Sequence, residues 1–160
     1  MSERTEISIV AAYSENMVIG RDGRIPWNIA DEKKRFRELT TGNVVVMGRR
    51  TYEEIGFPLP NRETIVVSNK CTYEADNCRT AGSLSEAIHM AAGKKIYISG
   101  GAGLYEEALP LAGKLYITEI HRIVEGDTYF PEFDKKEYER VVEKHVEGEW
   151  SYTYVTYTRR

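Results

Sequence analysis

The chain has few of the residues that staple, anchor or ligate. Its two cysteines, Cys71 and Cys78, stand in a polar stretch of a 160-residue sequence. Their spacing is neither a zinc pattern nor a CxxC redox pair, and it fits free thiols in a reducing compartment. The three histidines, His89, His121 and His145, lie too far apart for metal-ligand spacing, which leaves them surface or filling roles. No apolar run approaches the ~18 residues of a membrane helix, and the N-terminus lacks the apolar stretch of a secretory signal. A basic excess is also missing: 22 Lys and Arg stand against 25 Asp and Glu, a net −3, whereas nucleic-acid binders usually carry a positive surplus. Repeats, low-complexity tracts and Pro/Ser-rich linkers are absent. These absences predict a cytoplasmic protein with no nucleic-acid or membrane partner, folded as one continuous domain over 1–160. A domain of this length buries roughly two-thirds of its unfolded surface.

What is present is an alternation of strand and helix signals. Ile7–Ala12 predicts a strand, and Asp31–Leu39 a helix. Asn43–Gly48 and Thr64–Ser68 are short continuous apolar runs, the pattern of strands covered on both faces. Arg50–Ile55 predicts a helix between them. Ser83 followed by Glu86 fits a capping box that opens another helix. Lys95–Ser99 predicts a strand, and Gly101–Leu109 a helix stopped at Pro110. The pattern then changes. Lys114–His121, Tyr138–Val146 and Trp150–Thr158 are strands without helices between them, and Gly148 sits in the last connection. The fold class is therefore α/β: a central, mostly parallel sheet with an antiparallel C-terminal edge and helices on both faces. Ligands of such sheets bind beyond the carboxyl ends of the strands.

Three groups of residues carry chemistry. Ser99-Gly100-Gly101-Ala102-Gly103-Leu104-Tyr105 leads from a strand into a helix. Glycines there let the backbone approach a phosphate, although a tight strand-to-helix turn needs them equally. Met47-Gly48-Arg49-Arg50-Thr51 repeats the theme with arginine forks at a helix start, which suit phosphate or serve as surface charge. Two such junctions suit one ligand with several phosphates, such as a dinucleotide. In the Asp31–Leu39 helix, Glu32, Phe36 and Leu39 share a face, so Glu32 is either a partly buried functional acid or an exposed first-turn carboxylate favoured by the helix dipole. Asp31 and Arg35, at i and i+4, are expected to pair on another face.

The chain resembles dihydrofolate reductase over nearly its whole length. The resemblance rests on Ile9–Ala12, Val18–Gly20, Pro26–Asn28, Val46–Tyr52, Ile55–Arg62, Ser99–Gly101, Leu115–Thr118 and Glu125–Pro131, in order and at the family's spacing. It implies a dihydrofolate-reductase-like fold and NADPH-dependent reduction of 7,8-dihydrofolate to tetrahydrofolate, with hydride delivered to C6 and N5 protonated. It further implies a monomer that binds dihydrofolate and antifolate small molecules. Glu32 stands at the family's pocket carboxylate and should hydrogen-bond the pterin. Thr118 should bind that carboxylate, and Trp27 should hold a water through its indole. Val10, Ala11, Phe36, Ile55 and Leu59 should line the pterin and benzoyl pocket, with the Ser99 carbonyl at its end, and Arg62 should grip the glutamate tail. For the cofactor, Ala12, Ile19 and Gly20 should surround the nicotinamide, under a mobile loop over 20–27. Gly48, Arg49, Arg50, Thr51, Val67, Ser68 and Asn69 should take the adenosine phosphates. Gly100 and Gly101 should form a cis peptide, and Ser99, Gly101, Ala102, Gly103, Leu104 and Tyr105 should cradle the pyrophosphate.

Several positions depart from the common family pattern. Ala30 replaces a proline, Glu32 an aspartate, Lys33 an apolar residue and Ser99 an isoleucine or valine, and the loop before the last strand is short. Glu32 with Ser99 is similar to plasmid-borne members that resist trimethoprim, which implies reduced sensitivity. Two other readings share part of the pattern. A reductase of riboflavin biosynthesis has the same fold and cofactor but no use for Trp27, Glu32 and Thr118 together, and a non-catalytic nucleotide-binding module predicts a broken pocket. Charge is unevenly spread: residues 119–149 sum to −5 and the rest to +2, so an acidic chain is expected to hold anionic ligands in a locally basic cleft.

Overall fold

The computed structural model describes residues 6–160; the reading of the N-terminus as no secretory signal falls largely outside them. In chain order the elements are β1 (Glu6–Ser14), β2 (Val18–Gly20), α1 (Ala30–Thr40), β3 (Val44–Gly48), α2 (Arg49–Ile55), β4 (Glu63–Val67) and β5 (Cys78–Ala81). Then follow α3 (Leu84–Met90), β6 (Lys95–Ile98), α4 (Ala102–Ala108), β7 (Lys114–Ile120), β8 (Thr128–Tyr129), β9 (Tyr138–Val146) and β10 (Tyr152–Arg159).

Eight strands form one sheet in the order β5-β4-β3-β6-β1-β7-β10-β9, while β2 pairs separately with β8. From β5 to β7 every pairing is parallel. The C-terminal strand β10 runs antiparallel to β7 and to β9, which lies outside it. Val44 to Met47 are at most 1% exposed, as a strand packed on both faces must be. Alternate residues serve the two layers. Ile9, Val46, Ile98 and Ile117 pack with Leu84 and Ala87 of α3 and Leu104 and Ala108 of α4. On the opposite face α1 is tied to β10 through Asp31.

Local chemistry explains most boundaries. The Ser83 hydroxyl accepts the Glu86 N–H at 3.1 Å, as a capping box requires, and the Glu86 carboxylate reaches back to the Gly82 N–H. Pro110 stands just beyond α4, where the helix has to stop. The final strand starts later than its alternation suggested. Ser151 is held in the turn, its carbonyl accepting the His121 N–H and its hydroxyl the Gly148 N–H, so Trp150 precedes the ladder. β2, β5 and β8 have no clear signal in the sequence; they are short pieces whose pairing is set by tertiary contact. Cys71 and Cys78 are unpaired.

The expected Asp31–Arg35 pair does not form. Asp31 instead accepts the hydroxyls of Tyr152 and Tyr154, each at 2.9 Å, and pairs with Lys144 at 3.3 Å. Rigid phenols presented by β10 on one face outcompete a flexible i+4 arginine. Burial works to raise the Asp31 pKa, but the three donors outweigh it and hold the carboxyl below its ordinary value.

The site is positioned by a strand that stops early. β6 pairs with β1 only as far as Ile9↔Ile98 and with β3 only as far as Val46↔Ile98. β1 runs on to Ser14 and β3 to Gly48. A notch therefore opens at the carboxyl end of the sheet, above Ser99-Gly100-Gly101. The Ser99 N–H donates to Val46 O, the Gly100 carbonyl accepts the Gly48 N–H, and Tyr105 Oη caps the Val10 carbonyl. A second loop flanks the notch. There Asp127 accepts the Asp22 N–H at 2.9 Å, and a Cβ on Gly126 would lie 2.3 Å from Val18 Cγ1 and 2.6 Å from Gly20 O.

Replacing Asp31 with Ala strands two tyrosine hydroxyls and should cost about 1–2 kcal/mol in urea unfolding at pH 7. Because the folded pKa is depressed, the difference from wild type should be full above the ordinary carboxyl value of 3.8 and close as pH falls through the lower folded value. Gly126→Ala drives a methyl into Val18 and the Gly20 carbonyl. It should cost about 1–3 kcal/mol in the same measurement; unchanged stability would show that this close approach does not constrain the loop.

Candidate active site

Glu32 sits in the first turn of α1 and is half-buried, as are Phe36 and Leu39 on the same face. Among the described residues its carboxylate makes no hydrogen bond and no ion pair. Burial pushes its pKa above the ordinary value, with Arg35 and then Lys33 pulling the other way. An acid in that state exchanges protons closer to neutrality than a free glutamate does.

Other polar groups around the notch are also uncommitted. Trp27 is 7% exposed, packs with Ile29, Ile120, Tyr152 and Tyr154, and has an indole N–H without a partner. Ser99 Oγ is likewise buried and unpartnered. Buried donors and acceptors are rarely left unpaired, so such atoms beside a cleft mark places for water or ligand. Thr118 is the register partner of Ala12 across β1 and β7 and is 2% exposed. Its hydroxyl accepts from Arg35 Nη1 at 3.5 Å, and no hydrogen bond joins it to Glu32.

Val10 and Ala11 are buried on β1, whereas Phe36, Ile55 and Leu59 are half-buried. Arg62 is 7% exposed, its Nε donating to Pro60 O at 3.0 Å and Nη1 to Thr40 Oγ1 at 3.2 Å. A guanidinium has five N–H donors. Two are used here to fix its orientation, which leaves the others for an anion.

On the opposite side of the notch, α2 begins at Gly48 and α4 at Gly101, and neither N-terminus has a side-chain cap. The two lie close: a Cβ on Gly48 would be 3.7 Å from Gly101 N and 3.8 Å from Gly100 O. The Gly100–Gly101 peptide is cis, and Gly100 has φ 125°, a conformation that side-chain-bearing residues rarely adopt. A Cβ there would also press on Thr51 Oγ1 at 3.2 Å, while Gly103 faces open space. Two uncapped helix starts lined by bare backbone fit phosphate groups. Arg49 forms an ion pair with Glu53 at 3.5 Å, and Arg50 is exposed, with no ion pair among the described residues. Ser68 Oγ accepts the N–H groups of Lys70 and Cys71, shaping the turn after Val67 that exposes Asn69. Ala12, Ile19 and Gly20 are half-buried, and Leu104 and Tyr105 are buried under the glycines.

Sequence reasoning missed the place of one residue in this region. Arg35 points inward instead of pairing with Asp31: Nη1 reaches Ile117 O at 3.3 Å, and its guanidinium lies 4.3 Å from the Tyr154 ring centroid. The i, i+3 spacing of Glu32 and Arg35, with the period-2 placement of Tyr152 and Tyr154, was the available signal.

Comparison with known proteins agrees with the geometry. The family profile described as dihydrofolate reductase matches residues 6–159. The chain is 43% identical over 160 residues to the Escherichia coli protein named dihydrofolate reductase type A13, covering 99% of this chain and 97% of that one. It is 35% identical to dihydrofolate reductase of Bacillus subtilis, covering 96% and 95% respectively. A solved structure of dihydrofolate reductase from Enterococcus faecalis, complexed with NADP(H) and RAB-propyl, superposes with a TM-score of 0.85 at 36% identity, covering 96% of each chain. With this match along its length, the chain belongs to the dihydrofolate reductase family.

Proposed function

We propose that the notch is where the chain reduces dihydrofolate, with the pterin over Glu32 and the cofactor across the starts of α2 and α4. The observation that carries this reading is the Glu32 carboxyl: desolvated, and without a partner among the described residues, in a chain of this family. When bound, NADPH supplies the hydride that reduces C6 of the pterin. Glu32 holds the pterin by its 2-amino group and N3 and favours the substrate protonated at N5. Trp27 presents its free indole N–H to an ordered water, and Thr118 holds the far side of the carboxyl. Val10, Ala11, Phe36, Ile55 and Leu59 exclude water from the rings, with the Ser99 carbonyl at the pocket end. Arg62, oriented by Pro60 and Thr40, receives the tail carboxylate.

The cofactor side follows the same logic. Ala12, Ile19 and Gly20 wall the nicotinamide. Gly48, Arg49, Arg50 and Thr51, with Val67, Ser68 and Asn69, take the adenosine phosphates, the exposed Arg50 facing the 2′-phosphate. Ser99 and Gly100, with Gly101 to Tyr105, form the backbone cradle for the pyrophosphate. The protein is read as a cytoplasmic monomer. Among the described residues no helix is long and apolar enough to cross a membrane, and both cysteines are free.

The test is loss of 340 nm absorbance with NADPH and dihydrofolate. Glu32→Gln should lower kcat at pH 7 by about 100-fold or more and leave the Kd for NADPH within about twofold; near-normal turnover rejects the assignment. The same variant has a stability signature. A folded pKa raised by burial means that ionised Glu32 opposes folding. The variant should therefore match wild type in Tm below the ordinary value of 4.5 and exceed it increasingly as pH rises through the folded value. Reduced trimethoprim sensitivity belongs to this reading through Glu32 and Ser99. The expected inhibition constant exceeds that of the Bacillus subtilis relative, and one equally low would reject it.

A further inference from the structure

Arg35 is the one cation that α1 turns into the sheet rather than toward solvent. Three contacts hold it: Ile117 O at 3.3 Å, Thr118 Oγ1 at 3.5 Å, and the Tyr154 ring face at 4.3 Å. The ring is itself pinned, because Tyr154 Oη donates to Asp31 at 2.9 Å. The position of the guanidinium is thus set by β7 and β10, and is more restricted than a surface arginine's.

This placement has a consequence for Thr118. A guanidinium only donates hydrogen bonds, so toward Arg35 the Thr118 oxygen can only accept. The single hydroxyl proton is left to point away from the guanidinium, and Glu32, three residues before Arg35 on the same helix and so a neighbour on its surface, makes no hydrogen bond among the described residues. We propose that Arg35 is a positioning residue for the reduction: it holds the Thr118 oxygen as an acceptor, which leaves the hydroxyl proton for the pocket, and it keeps a positive charge one helical turn from Glu32. The inference rests on Glu32 being the pocket acid of the reductase.

The charges around the pair support this role. On α1, Arg35 is the larger influence favouring the ionised form of Glu32, and Lys33 the smaller. From α4 and β10, Tyr105 and Tyr152 face Glu32 as neutral phenols whose own pKa values lie raised, first by burial. Arg35 is faced by Tyr154 on β10, Glu143 on β9 and Tyr116 on β7. Glu143 is exposed, so its field is screened by solvent, whereas Arg35 and Glu32 are both half-buried.

The experiment is the pH dependence of hydride transfer, measured by stopped flow with saturating NADPH and dihydrofolate, for wild type, E32Q, R35Q and R35K. Removing the charge should move the apparent pKa of R35Q upward by about one pH unit, so that it becomes faster relative to its own maximum on the alkaline side. R35K keeps the charge and should stay within about 0.3 pH unit of wild type. A profile of R35Q that is unmoved or moves downward overturns the inference. If R35Q does not fold, R35M takes its place: an upward move of about one pH unit supports the role of the charge, and an unmoved profile overturns it. Failure of the underlying reading looks different, since E32Q would then keep near-normal turnover whatever Arg35 does.

Discussion

Everything around the candidate site depends on β6 being shorter than the strands beside it. A parallel sheet offers its carboxyl edge to ligands only where neighbouring strands part. Here the parting is made by ending one strand at Ile98 while β1 continues to Ser14 and β3 to Gly48. The chain leaving β6 must turn at once, and Gly100 and Gly101 let it do so without side chains of their own. The backbone groups freed by the missing rungs are not abandoned: Tyr105 Oη takes the Val10 carbonyl and Gly48 N–H takes the Gly100 carbonyl. The backbone of the notch is thus hydrogen-bonded, while the Trp27 indole and the Ser99 hydroxyl beside it are left without partners.

The two sides of the notch are built on different physics. One side is backbone: two uncapped helix starts and glycines, of which Gly100 would press a Cβ on Thr51. The other side is side chain: a carboxyl, an indole and a hydroxyl carried by α1, its approach and β7. This division reconciles an acidic chain with anionic ligands. The surplus of carboxylates within residues 119–149 lies in 119–133, which carry a net −3, and at Glu147 and Glu149, while β9 itself is balanced; exposed charges more than a Debye length of about 8 Å away are largely screened. Helix starts and arginines act locally at the cleft.

The architecture was largely legible because its signals are strong and local. Val44 to Met47 can only be a strand buried on both sides, Ser83 with Glu86 announces a helix, and Pro110 ends one. Phe36 and Leu39 gave the inward face of α1 and with it Glu32. What stayed hidden depends on partners remote in sequence. β2 and β8 are strands only because Val18 meets Tyr129 and Gly20 meets Thr128. Arg35 was assigned to Asp31 because i, i+4 spacing allows that pair; nothing local reports that Tyr152 and Tyr154, more than a hundred residues on, take Asp31 first.

That competition ends in a contrast between consecutive residues. Asp31 and Glu32 occupy one helical turn, about 100° apart around the axis, and both begin as carboxylates that the helix dipole favours. Asp31 faces β10 and β9, where two phenols and an ammonium donate to it, and its pKa falls. Glu32 faces the notch, where no donor is committed to it, and its pKa rises. The first is a structural anchor because its hydrogen-bonding capacity is used; the second is available for chemistry because its own is not. Arg35 links them. The phenol that Asp31 fixes is the surface on which Arg35 rests, so the satisfied carboxylate helps set the field felt by the unsatisfied one. Stability is spent on Glu32 and recovered one residue earlier, which lets a single helix turn both hold the fold and serve the reaction.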